Sequence, residues 1–172
     1  AREAARLQIP GVALLDRDGV YGAPRLYGAV REFELELQPI VGAEITMEDG
    51  TVVPLLVENR TGYSNLTRLI STAKLEPRTP VEPLRELAPG EDPRARKRPC
   101  FATWAELAAH AEGLIALTGD EDGPVMRALA TGGTGAAEAT VQRLEAIFGG
   151  GRLYVEVQRR RERGENATVE AL

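Results

Sequence analysis

The sequence predicts an α/β domain in which parallel strands are joined by crossover helices into a sheet or barrel, with one β-hairpin inserted. Three observations carry this expectation. Short apolar runs alternate with stretches of helical spacing along the chain. An Asp49-Gly50 dipeptide separates two strand-like runs, which is the strongest short-range hairpin signal. Strand and helix otherwise follow one another in turn, an order that favours parallel strands.

The elements follow in order. Ala1 to Gln8 has a charged amphipathic helix pattern with no apolar stretch of the kind that marks a secretory leader. Gly11 to Leu15 is a short apolar run ending at Asp16, and it reads as a buried strand. Gly22 to Phe33 has helical spacing through Leu26, Val30 and Phe33, with Pro24 acceptable in the first turn. Gln38 to Met47 and Thr51 to Val57 are the two arms of the hairpin. Thr61 to Lys74 is helical, with Leu66, Leu69, Ile70 and Ala73 on one face. Residues 75 to 102 hold six of the eleven prolines and the basic run Arg94 to Arg98, so they read as an exposed loop. Order resumes at Thr103-Trp104-Ala105-Glu106, the pattern of a capping box, with a helix expected to about Glu112. Gly113 to Leu117 is a buried strand; Pro124 to Ala130 and Gly135 to Phe148 are helical; Arg152 to Val157 is the last strand, before a charged tail from Arg159.

Composition narrows the function classes. The 172 residues suffice for one domain with a sizeable core. No stretch approaches the roughly 18 apolar residues of a membrane span. A single cysteine, Cys100, excludes an internal disulfide and fits a reducing cytoplasm. The net charge of -5 argues against a dedicated DNA-binding module, although another domain could supply a basic surface. The single histidine, His110, weakens any reading as a hydrolytic metalloenzyme.

In folds of this class the site lies at the carboxyl ends of the strands. The residues there are Asp16 to Asp18, Glu44, Thr118 to Asp122, and Gln158 to Arg160. Several of these segments, in order, resemble the PHP domain of bacterial error-prone DNA polymerases of the polymerase III alpha type. They are Asp16 to Arg25, Pro39 to Glu44, Leu55 to Ile70, Ala111 to Gly119, and Leu153 to Gln158. The resemblance implies a (β/α) barrel of PHP type, here incomplete and distorted, filling 1–172 as a single partial domain with the proline-rich, basic loop at 75–102. It also implies divalent metal ions in intact family members.

The departures from that pattern bear directly on chemistry. Family members begin with a strand ending in His-x-His, which is absent here. Where many have histidine inside the Asp-x-Asp triplet, this chain has Arg17; two residues beyond the final Glu-x-Gln, it has Arg160. Of the ligand positions that the resemblance places, only Glu44 keeps a metal-binding side chain, as a possible remnant ligand. Arginine stays cationic and offers no lone pair, so it cannot replace a ligand. Arg17 or Arg160 is instead expected to pair with Glu44, and all five of Asp16, Arg17, Asp18, Glu44 and Arg160 are expected to converge.

Each of these residues also has a purely structural reading. Glu44 reads as a carboxylate paired with a nearby arginine, and Asp16 and Asp18 as residues that shape the turn and cap the helix beginning near Gly22. His110 reads as a helix-surface histidine and Cys100 as an incidental thiol. Gly132-Gly133-Thr134-Gly135 lacks the preceding strand and the spacing of a phosphate loop, so it reads as a connector. Asn166-Ala167-Thr168 fits a glycosylation sequon that has no meaning in the cytoplasm.

No catalytic residue and no bound cofactor are expected for this chain. It is expected to be a structural and interaction module of a polymerase acting in damage-induced or translesion synthesis. Its partners would be the remainder of a polymerase chain, and DNA through other domains, with self-association through open sheet edges and no membrane. Two other readings stand beside it: a free-standing metal-dependent PHP phosphoesterase, and a truncated gene product without independent function.

Overall fold

The computed structural model describes residues 1–79 and 99–157. Arg160, the Arg94 to Arg98 run, the charged tail and the Asn166 sequon lie outside the described residues. Five strands, β1 (Gly11–Arg17), β2 (Gln38–Thr46), β3 (Val52–Val57), β4 (Leu114–Leu117) and β5 (Leu153–Tyr154), form one sheet in sequence order. β1 pairs with β2, and β4 with β5, in parallel; β3 is antiparallel to both neighbours. The inserted hairpin thus reverses one strand of an otherwise parallel sheet. At its tip Met47 N–H donates to the Thr51 carbonyl and Gly50 takes a φ of 77°, the left-handed residue that closes a three-residue hairpin loop.

After α1 (Arg2–Arg6), which buries none of its residues, helices α2 (Ala23–Glu32), α3 (Arg60–Leu75), α4 (Trp104–Ala109) and α5 (Pro124–Phe148) supply the second layer. Asn59 caps α3 by accepting from Gly62 N–H at 3.0 Å. The Thr103–Glu106 capping box starts α4, with both of its reciprocal bonds formed. The helix is shorter than its spacing suggests. It ends at Ala109, because the chain must turn through Gly113, at a φ of 73°, to enter β4. His110 therefore sits at the C-cap, with Nδ1 2.8 Å from the Glu106 carbonyl oxygen. α5 is broken at Gly133, whose φ of 71° and ψ of -169° only glycine adopts freely, so the glycine-rich stretch joins two helical arms.

The core fills the space between these helices and one face of the sheet. Ala43, Ile45, Val53, Leu55, Leu114 and Ala116 from the strands meet Leu66, Leu69 and Ala73 of α3, Leu107 of α4, and Leu144 and Phe148 of α5. Ala102, at the end of the segment expected as loop, is fully buried; it belongs to this core and bridges to Met47. The last strand is shorter than the alternating pattern of 152–157 implies. β4 stops at Leu117 and the chain turns away at Gly119, at a φ of 77°, so residues after Tyr154 have no ladder to join. Glu156 N–H is satisfied instead by the Thr118 hydroxyl at 2.9 Å.

Candidate functional site

The parallel register brings the carboxyl ends of β1 and β2 side by side, with Asp16 opposite Ala43 and Arg17 opposite Glu44. Side chains directly opposite in a parallel pair point to the same face. Arg17 and Glu44 accordingly meet: Arg17 Nε donates to Glu44 Oε2 at 3.0 Å. The pair is largely open to water, at 48% and 39% side-chain exposure, which places it among ion pairs worth about 0–1 kcal/mol.

The two aspartates do different work. Asp16 Oδ2 accepts from Gly22 N–H at 2.7 Å, which satisfies a donor at the entry to α2. Asp18 does not reach the helix. It adopts a left-handed φ of 50°, which Asp tolerates better than most residues, and its own N–H donates to the Glu44 carbonyl at 2.8 Å. Its carboxylate accepts from Thr46 N–H and from the Thr46 hydroxyl, both at 2.8 Å. Thr46 was not singled out from the sequence. Its position at the strand end, two residues beyond Glu44, was the available signal.

Further along the same edge of the sheet, Thr118 is buried and bonded to Glu156 N–H, and Val52 N–H donates to the Asp122 carbonyl at 2.9 Å. Arg127 lies 3.6 Å from the Asp122 carboxylate. Cys100 is half-buried against the core; burial pushes its thiol up from the ordinary value, and the charge of Asp18 adds to this. A thiol held in its protonated form is a poor nucleophile.

This donor set does not fit a hydrolytic metal cluster, which needs several His and carboxylate groups converging on each ion. Asp16 is engaged by Gly22, Asp18 by Thr46, and Glu44 by a permanent cation. Among the described residues no three His, Cys, Asp or Glu side chains gather closely enough to hold a metal ion.

The geometry ranks the site residues by energetic weight. Arg17→Ala and Glu44→Gln are each expected to change unfolding free energy by no more than about 1 kcal/mol, because water replaces the lost partner. Asp18→Ala is expected to cost about 1–3 kcal/mol, since it leaves the partly buried Thr46 N–H and hydroxyl unsatisfied. Urea denaturation of the three variants checks this order.

Comparison with known proteins gives a consistent picture. Residues 1–160 match the PHP domain family. The chain is 40% identical over 172 residues to the error-prone DNA polymerase of Symbiobacterium thermophilum, covering 99% of this chain and 15% of that protein. It is 32% identical over 167 residues to the DNA polymerase III subunit alpha of Caulobacter vibrioides, covering 91% of this chain and 13% of that one. The chain therefore spans only a small part of these relatives. Among solved structures, a Bifidobacterium adolescentis protein described as a metal-dependent phosphoesterase superposes with a TM-score of 0.50 at 15% identity, covering 99% of this chain and 75% of its own. At that identity the likeness shows a shared fold alone.

Proposed function

This chain belongs to the PHP domain family, and from that premise we propose that it serves as a structural and interaction domain of a bacterial error-prone DNA polymerase, without catalytic activity of its own. The observation that carries this reading is the Arg17–Glu44 contact at the strand ends. A fixed guanidinium charge stands beside the one surviving ligand-type carboxylate, and the neighbouring aspartates are spent on backbone and hydroxyl donors. The site is thus arranged to hold strands and turns together rather than to activate water. Similarity to much longer polymerases supports placing 1–172 within such a chain, with DNA and partner subunits engaged by its other domains.

In this reading the domain binds no metal, works in the cytoplasm in damage-induced or translesion synthesis, and contributes protein surface. No helix among the described residues is long and apolar enough to cross a membrane. The outer edge of β1 has no strand partner among the described residues and offers a template for β-pairing with another chain.

The free-standing phosphoesterase reading makes the opposite prediction. Purified protein is to be assayed for phosphate release from small phosphomonoesters and from DNA ends with added Mn²⁺ or Zn²⁺. No turnover above buffer is expected. Metal-dependent turnover that disappears in Glu44→Gln would overturn the proposal.

A further inference from the structure

α2 and α3 flank a groove of about 790 Å³. Val41 and Val57 contribute to its apolar floor, Tyr27 stands on the α2 lip, Tyr63 on the α3 lip, and Glu58 and Arg60 lie at its mouth. Four other rings of the domain are covered by its own cations, among them those of Phe33, Tyr21 and Trp104. Arg2 lies over Phe33 at 3.6 Å, Lys74 over Tyr21 at 4.8 Å, and Arg143 over Trp104 at 4.1 Å. Tyr27 and Tyr63 carry no such cation among the described residues and are 44% and 45% exposed. Glu58 and Arg60, two residues apart and opposite in charge, make no ion pair among the described residues either.

We propose that this groove is the contact surface for a second copy of the chain, packed about a two-fold axis. The charges argue for this occupant. A purely acidic partner would satisfy Arg60 and repel Glu58, and a basic one the reverse. A two-fold contact sets residue i against j and j against i, so each copy offers Arg60 to the other's Glu58 and both charges are met at once. The shape of the surface agrees with the charges. Tyr27 is held against the groove's own wall by its hydroxyl, which donates to the Pro39 carbonyl at 3.4 Å, whereas the half-exposed Tyr63 is free to enter the groove of the other copy, in the ridge-into-groove arrangement of packed helices. Tyrosine and arginine are also among the side chains enriched where protein contacts carry energy. This contact uses side chains of the helical layer, and so differs from backbone pairing at the β1 edge.

Sedimentation velocity of the 172-residue chain from about 1 to about 200 μM, where a modest interface dimerises, tests it. The expected result is a monomer passing to a dimer, and no further, as concentration rises. Arg60→Glu is expected to weaken the dimer at least about tenfold. That substitution leaves the fold intact, because an acid in the first turn of α3 complements the helix dipole. Tyr63→Glu is expected to abolish the dimer. Combining Glu58→Arg with Arg60→Glu is expected to restore it, because the swapped charges again face their complements. A monomer at every concentration, growth beyond a dimer, indifference to Arg60→Glu, or no recovery in the double variant overturns the proposal. So does association that is lost only in Val12→Pro, which would assign it to the β1 edge.

Discussion

Replacing Glu106 with alanine is expected to cost about 3–5 kcal/mol, among the largest effects of any surface-layer substitution in this protein. Glu106 performs two tasks with one carboxylate. It accepts from the Thr103 N–H at 2.8 Å to complete the capping box, and it receives Arg78 Nη2 on both oxygens, at 2.8 and 2.9 Å. Arg78 is only 9% exposed, so loss of its partner strands a guanidinium charge away from water. Its Nε has no hydrogen-bond partner among the described residues, which leaves little to compensate. The contact also ties Arg78, just past the end of α3, to the start of α4, and Arg78 lies over the Phe101 ring at 5.3 Å.

The pH dependence of this effect has a definite sign. Burial pushes the Glu106 carboxyl up, but the Thr103 backbone donor and the hydrogen bond and charge of Arg78 outweigh it and hold the carboxyl below its ordinary value. A depressed folded value means that the contribution is fully present above the unfolded carboxylate value, about 4.3, and is lost as pH falls through the folded one. Denaturant midpoints of wild type and Glu106→Ala should therefore differ widely at neutral pH and converge in acid. Removing both partners, as Arg78→Met with Glu106→Ala, should recover much of the loss, since no buried charge is then left unpaired.

Gly62→Ala is the second substitution expected to do serious damage, at about 3 kcal/mol or somewhat more. A Cβ at Gly62 would sit 1.8 Å from the Gly113 carbonyl oxygen and 2.5 Å from its carbon. Both obstacles are backbone, so neither can swing aside as a side-chain tip would. Gly113 is itself held in place: it has a φ of 73°, and its carbonyl accepts from Glu58 N–H at 3.0 Å. The first turn of α3 and the entry to β4 thus approach at backbone contact, which Asn65 reinforces by donating to the Glu112 carbonyl at 2.9 Å. Gly28→Ala is the control. It lies in α2 with nothing within 4 Å of its would-be Cβ, and is expected to be neutral or slightly stabilising on helix propensity. Thermal unfolding of the two variants separates the clash from any general effect of glycine replacement.

The parts of the fold legible in the sequence were those set by local chemistry. The Asp49-Gly50 turn, the Thr103–Glu106 box and the glycine-rich break in α5 each follow from what a few adjacent residues can do, and each stands in the structure. Ends set by tertiary neighbours were not legible. β5 stops at Tyr154 because β4 offers it no further partner, and Ala102 is in the core because Met47 pairs with it; neither fact is written in the residues around them. At the site, Arg17 or Arg160 was expected to pair with Glu44; the parallel register joins Arg17 to it, and Arg160 lies outside the described residues. How exposed the pair is, and that Asp18 is held by Thr46 rather than by the helix, depend on the three-dimensional placement of the hairpin. The expected stabilising weight accordingly moves from the arginine pair to Asp18.

The central claim is that protein groups, and not a metal ion, satisfy the carboxylates at the strand ends. The most direct measurement is the thermal unfolding midpoint of the purified chain after exhaustive chelation, and again with Zn²⁺, Mn²⁺ or Fe²⁺ at about 100 μM. A cation bound to the folded state alone at about 1 μM affinity would stabilise it by about 2.7 kcal/mol. The expected result is one midpoint under all conditions, with less than one transition-metal ion per chain by elemental analysis. A midpoint that falls on chelation and returns with a metal, and does so in wild type but not in Glu44→Gln, would contradict the claim.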